Sequence, residues 1–204
     1  MRSKVISMTE ECIKTGSGGS AVFENDRNLP MEEKQEQSST FSVLVENRFG
    51  VLARVAGLFS GRGYNIDSLA VSPTHDTRYS RMTIVTHGDE AILEQIEKQL
   101  NKLVEVVQVT SLSKNDFVAR ELMLIKVKAA GHDRNEIIQL ADVFKANVVN
   151  VLPDSLIVQV TGAQEKLEAF TELMKTFGII ELARTGRVAL ARNSGTTEDW
   201  KQNN

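Results

Sequence analysis

The feature that most constrains this chain is a doubled order of elements. Strand, helix, two strands, helix, strand runs from about Thr40 to Leu112, and the same order returns from about Leu122 to Ala191, a period near 80 residues. In the first half, Thr40 to Glu46 reads as a short strand and Asn47-Arg48-Phe49-Gly50 as a loop. Val51, Leu52, Val55, Leu58 and Phe59 then recur at helical spacing, and Gly61 and Gly63 stop that helix. Strands at about Asn65 to Val71 and Tyr79 to Thr86 flank the turn-rich Ser72-Pro73-Thr74-His75-Asp76-Thr77. A helix from Asp89 to Leu103 carries Ile92, Ile96, Leu100 and Leu103 on one face, and a strand from Glu105 to Leu112 closes the unit.

The second half repeats the order with different residues. Leu122 to Val127 is a strand, Asp133 to Lys145 a helix with Ile137, Leu140, Ala141 and Phe144 inward, and Val148 to Leu152 a strand. Pro153-Asp154 turns into a strand from Leu156 to Val160. A helix with Leu167, Phe170, Met174 and Phe177 follows, and strands near Ile179 to Ala183 and Val188 to Ala191 finish the chain's pattern. The fold class is α+β: two tandem ferredoxin-like βαββαβ domains, each with helices on one face of a largely antiparallel sheet. The domains are expected at 39–114 and 119–193. A chain of 204 residues fits two such units. Residues 1–38, with Gly16-Ser17-Gly18-Gly19-Ser20 and a polar run from Glu32, read as a disordered extension, and 194–204 as a flexible tail. Each unit leaves a sheet face or edge open, so self-association to a homodimer is expected.

Composition removes several function classes. The net charge of −3 offers no broad positive field for nucleic acid. RNA-reading βαββαβ domains need stacking aromatics on their strands, and Arg81 to Val85 and Val104 to Val109 carry none. No apolar run reaches the ~20 residues of a membrane span. The single cysteine, Cys12, permits no internal disulfide, which fits a reducing, cytoplasmic compartment. His75, His87 and His132 lie in turns or at element ends without a second ligand at metal spacing, and read as solvated histidines. Gly61-Arg62-Gly63-Tyr64-Asn65-Ile66 begins like a dinucleotide fingerprint but ends a helix where that motif opens one. No nucleophile–base pairing stands out, so no catalytic residue is assigned.

One constellation survives. Gly50 opens the first helix, where unpaired N–H groups and the positive end of the helix dipole attract a carboxylate, and glycine lets a ligand approach the main chain. Asn47 before that helix and Asn65 after it carry amides that can donate to a carboxylate and accept from an ammonium. Val51, Leu52 and Ile66 flank these polar groups as an apolar slot. The set suits a free amino acid.

The same residues carry a resemblance. Phe41 to Val55, Leu58 to Leu69, Ser80 to Ile84, Gln95 to Leu103 and Arg120 to Val127 resemble the small, regulatory subunits of acetolactate synthase (acetohydroxyacid synthase), whose first domain is an ACT domain. The likeness extends loosely to about Asn193, roughly three quarters of the chain. It implies a non-catalytic subunit that activates a separate catalytic subunit and confers feedback inhibition by valine in branched-chain amino acid biosynthesis. Thiamine diphosphate, magnesium and FAD would belong to that catalytic subunit, with no cofactor in this chain. It also implies an effector site between two copies, with Asn47, Gly50, Val51 and Leu52 from one and Asn65 and Ile66 from the other. A photosynthetic source would place such a protein in the plastid stroma. Two rival readings remain: a stand-alone ferredoxin-like enzyme using a carboxylate in a sheet-face cleft, and an amino-acid-responsive transcriptional regulator, for which no helix-turn-helix segment is evident.

Overall fold

The structure is a computed structural model that describes residues 37–112 and 116–192. The expected tail from 194, Cys12 and nearly all of the expected extension lie outside the described residues. The first repeat contains β1 (Gln37–Glu46), α1 (Val51–Ser60), β2 (Ser68–Pro73), β3 (Tyr79–Gly88), α2 (Glu90–Leu100) and β4 (Val106–Ser111). The second contains β5 (Phe117–Lys128), α3 (Asp133–Val143), β6 (Asn147–Val151), β7 (Ser155–Gly162), α4 (Gln164–Lys175), β8 (Ile179–Arg184) and β9 (Val188–Ala191).

Each repeat builds an antiparallel sheet, ordered β2-β3-β1-β4 in the first and β6-β7-β5-β8 in the second, as the ferredoxin-like order requires. The helices cover one face of each. Phe41, Val43, Val45, Met82 and Ile84 from the strands meet Val51, Val55, Phe59, Ile96 and Leu100 from α1 and α2. Met123, Ile125, Val127, Val158 and Val160 meet Ile137, Ala141, Leu167, Phe170 and Met174 in the same way. Burial of these apolar surfaces is the main driving force for both units.

The repeat is geometric as well as topological. The β1–β4 ladder shifts register between Leu44 and Val45, and the β5–β8 ladder shifts at Lys126 and Val127, each 82 residues on. Glu46 N donates to Glu105 O at 2.9 Å and Lys128 N to Gly178 O at 3.0 Å. Asn47 N donates to Arg78 O at 2.7 Å and Ala129 N to Asp154 O at 2.8 Å. The backbone that launches the first helix of each repeat is therefore held by equivalent bonds.

Several boundaries differ from expectation for identifiable reasons. β1 begins at Gln37 because Gln37 and Ser38 pair with Gly88 and His87. β2 begins at Ser68, not Asn65, because Asn65 to Asp67 are held outside the ladder. There Thr86 Oγ1 donates to Asn65 O at 2.6 Å and the Asn65 amide to Asp67 Oδ1 at 2.8 Å. α2 starts after its N-cap Asp89, whose carboxylate accepts from Ile92 N at 2.8 Å, and gives way to turns after Leu100. β5 starts five residues early because Phe117 to Arg120 pair with β9, a ladder outside the four-stranded order.

Candidate functional site

The α1 entry is built from the end of β1. Asn47 N is tied to Arg78 O, the chain turns through Arg48 and Phe49, and Gly50 caps the helix with φ +86°. That left-handed conformation favours glycine, and a Cβ added at Gly50 would meet nothing within 4 Å, so the backbone there faces open space. No side chain caps α1 and its first turn holds no acidic residue. Val51 N reaches Arg48 O at 3.5 Å, and the next N–H groups of the first turn keep their capacity for an external anion, assisted by the helix dipole.

Asn47 is exposed, and its Nδ2 donates to Thr77 O at 2.9 Å. The loop supplying that carbonyl is clasped by Asp76, which takes Arg78 Nη2 at 2.6 Å and raises the Arg78 pKa through that hydrogen bond and its charge. That bond uses one of the two amide hydrogens and leaves Asn47 its Oδ1 as an acceptor. Asn65 is arranged likewise, one amide hydrogen going to Asp67. Both asparagines thus keep an acceptor for an ammonium and a second hydrogen for a carboxylate.

Placement divides the six sequence-assigned residues. Asn47, Gly50, Val51 and Leu52 lie at the start of α1, whereas Asn65 and Ile66 lie beyond its end. A ten-residue helix spans about 15 Å at 1.5 Å per residue, more than one amino acid can bridge. Within one chain the two groups do not form a single pocket. Val51 also departs from the role of slot wall: at 4% exposure its side chain belongs to the core. Leu52, 45% exposed, and the partly buried Ile66 remain available as apolar walls. Phe49 stands wholly exposed beside Gly50, an apolar surface that sequence reading did not single out.

Two further features escaped the sequence reading. His87 is not merely solvated: its Nδ1 lies 2.5 Å from Asp67 Oδ2, which pins the Asn65–Asp67 stretch to the end of β3. Glu121 on β5 is buried with its Oε2 accepting no hydrogen bond, and Arg184 Nη1 stands 4.0 Å away. Elsewhere, burial lowers the pKa of Arg81, whose Nη1 donates to Ser42 Oγ at 2.7 Å.

Relatives of this chain agree over both repeats. Residues 41–108 match the family described as AHAS small subunit-like ACT domain, and residues 120–193 match the family described as small subunit of acetolactate synthase. Over 155 residues the chain is 52% identical to a probable acetolactate synthase small subunit of Archaeoglobus fulgidus, a stretch covering 76% of this chain and 97% of that one. It is 49% identical over 152 residues to the acetolactate synthase isozyme 3 small subunit of Salmonella typhimurium, covering 74% and 93%. Among solved structures, the acetolactate synthase small subunit of Thermotoga maritima superposes with a TM-score of 0.71 at 42% identity, covering 78% of this chain and 99% of that one.

Proposed function

This chain belongs to the family of acetolactate synthase small subunits, and from that premise we propose that it is the non-catalytic regulatory partner of a thiamine-diphosphate-dependent catalytic subunit, which it activates and renders sensitive to feedback inhibition by valine. The observation that carries the effector half of this reading is the bare α1 entry, where Gly50 is open on one side and no acidic side chain competes for the N–H groups.

The valine carboxylate sits at the α1 amino end and its ammonium is received by asparagine oxygens. Because Asn47 and Asn65 occupy opposite ends of α1, a second copy of the chain completes the site, so the effector bridges a homodimer. Leu52 and Ile66 enclose the isopropyl group. Two extra carbons relative to alanine correspond to about 1.6 kcal/mol at ~0.8 kcal/mol per buried CH₂, or roughly fifteenfold in affinity. Inhibition follows if valine favours one arrangement of the two copies, since a ligand that binds all arrangements equally shifts nothing. The catalytic subunit carries the thiamine diphosphate, magnesium and FAD. We place the complex in the cytoplasm; among the described residues no helix is long and apolar enough to cross a membrane.

Reconstitution tests this directly. The purified chain mixed with the catalytic subunit should raise acetolactate output and introduce valine sensitivity absent from the catalytic subunit alone. Acetolactate output unchanged by the chain, with or without valine, would refute the assignment.

A further inference from the structure

The loop between β8 and β9 reaches out of the second repeat and touches the first at the residues that follow the Asn65–Asp67 stretch. Arg187 N donates to Ser68 Oγ at 3.0 Å, and Arg187 Nη1 donates to Thr40 Oγ1 at 3.0 Å. Its Nη2 donates to Gln164 Oε1 at the first turn of α4. One partly buried guanidinium therefore ties β1 of the first repeat to the start of α4 in the second, while its own backbone holds the start of β2. The preceding Gly186 has φ +79°, and a Cβ there would stand 2.7 Å from Ser68 Oγ and 3.3 Å from Leu69 O. Glycine is thus required both by its backbone conformation and by this close approach. Around the joint lies a cleft of about 790 Å³ whose walls come from both repeats.

Ser68 is two residues from Ile66 and directly follows Asp67, which is fixed to Asn65 and His87. Any displacement of the Asn65–Ile66 stretch on meeting an effector is handed to Ser68 along a short, hydrogen-bonded run of chain. A forked guanidinium can hold two side-chain acceptors in a fixed relation, which the point charge of a lysine cannot do. We propose that Arg187 is the positioning residue through which an effector bound at the Asn65–Ile66 stretch acts on the second repeat. This rests on the regulatory reading above. It adds that binding and response are separable, with Arg187 belonging to the response.

The test uses the full chain reconstituted with the catalytic subunit, with valine as the probe. Arg187→Ala should keep activation and bind valine within about twofold of the wild type by calorimetry, yet lose at least about fivefold in the ratio of activities without and with saturating valine. Arg187→Lys should fold normally and give an intermediate ratio, and Ser68→Ala, which removes one acceptor and leaves the arginine intact, a smaller loss. Hydrogen exchange at the α4 amino end should respond to valine in the wild type and not in Arg187→Ala, a readout that general loosening would not mimic. Full inhibition in Arg187→Ala with wild-type exchange changes at α4 would overturn the inference while leaving the regulatory reading intact. No valine binding to the wild type would instead remove the regulatory reading, and this inference with it.

Discussion

The two repeats share a backbone and differ in what stands at the entrance of their first helix. In the first repeat Gly50 caps α1, Leu52 points out, and no acid lies in the first turn. In the second, His132 with φ −71° takes the place of Gly50, and Asp133 and Glu136 lie in the first turn of α3. Arg134, the counterpart of Leu52 by the 82-residue spacing, folds over the loop, and its Nη2 donates to Leu152 O at 2.5 Å, Pro153 O at 2.7 Å and Ala129 O at 3.3 Å. One entrance is left open to an outside anion. The other supplies its own carboxylates to the helix dipole and ties its loop carbonyls with its own guanidinium. A shared fold therefore specifies where a small-molecule site can lie, and a few side chains decide whether it is left for a ligand.

The comparison breaks most sharply at Gly50. Gly50→Asp puts a fixed carboxylate where the ligand's would sit, and valine inhibition should vanish, with affinity falling at least about tenfold. Gly50→Asn is the control: it bears the same left-handed backbone cost, which asparagine tolerates among non-glycine residues, without the charge. Calorimetry on both variants decides it. If they lose valine equally, charge at the helix entrance is not the cause, and the contrast between α1 and α3 loses its functional meaning.

Matched truncations sharpen the same contrast. Arg134→Ala removes donors to three carbonyls and should cost about 2 kcal/mol of stability, a charged donor being worth roughly 1.5–3 kcal/mol. Leu52→Ala, at a half-exposed site, should cost under about 1 kcal/mol yet weaken valine binding several-fold. Urea midpoints read the first pair of numbers and calorimetry the last. Equal stability losses would mean that the two entrances carry similar structural weight, contrary to their hydrogen bonding.

Asn65→Ala tests the far end of α1 by binding, with little effect on stability. Loss of one acceptor for an ammonium corresponds to about 1–1.5 kcal/mol, or roughly tenfold in valine affinity. The variant should leave the chain's own unfolding nearly unchanged because Asn65 is exposed. An unaltered affinity would remove the far end of α1 from the site and with it the need for a second copy.

What could be read from the sequence was whatever local pattern encodes. The βαββαβ order followed from periodicity, and Gly50 before Val51 marked an unusual helix entrance. Long-range partnerships could not be read in this way. Phe117 to Arg120 fall before the strand expected at Leu122 because their partner, Val188 to Ala191, is some seventy residues away and short enough to pair anywhere. His87 read as solvent-facing since nothing in its own strand announces Asp67. Val51 was grouped with Leu52 by adjacency, yet neighbours on a helix are turned about 100° apart, and one faces the core while the other faces out. Arg187 carried no signal at all, because its acceptors Thr40, Ser68 and Gln164 are spread over the chain.

The smallest expected effect tests the repeat itself, apart from any ligand. Gly63 after α1 has φ +71°, and its counterpart 82 residues on, Lys145 after α3, keeps φ +49° although it is not glycine. The second repeat thus holds a side chain in the left-handed region at a position the first repeat gives to the residue that adopts it freely. For a non-glycine residue that conformation costs roughly 1–2 kcal/mol, and the greater freedom of glycine in the unfolded chain returns part of it. Lys145→Gly should therefore raise stability by about 0.5–1 kcal/mol, and Gly63→Ala should lower it by about 1 kcal/mol. Both shifts should move the urea midpoint without changing the slope. A destabilised Lys145→Gly would mean that the lysine stem contributes more through packing than its backbone costs, and the equivalence of the two helix exits would then be one of shape without a shared energetic logic.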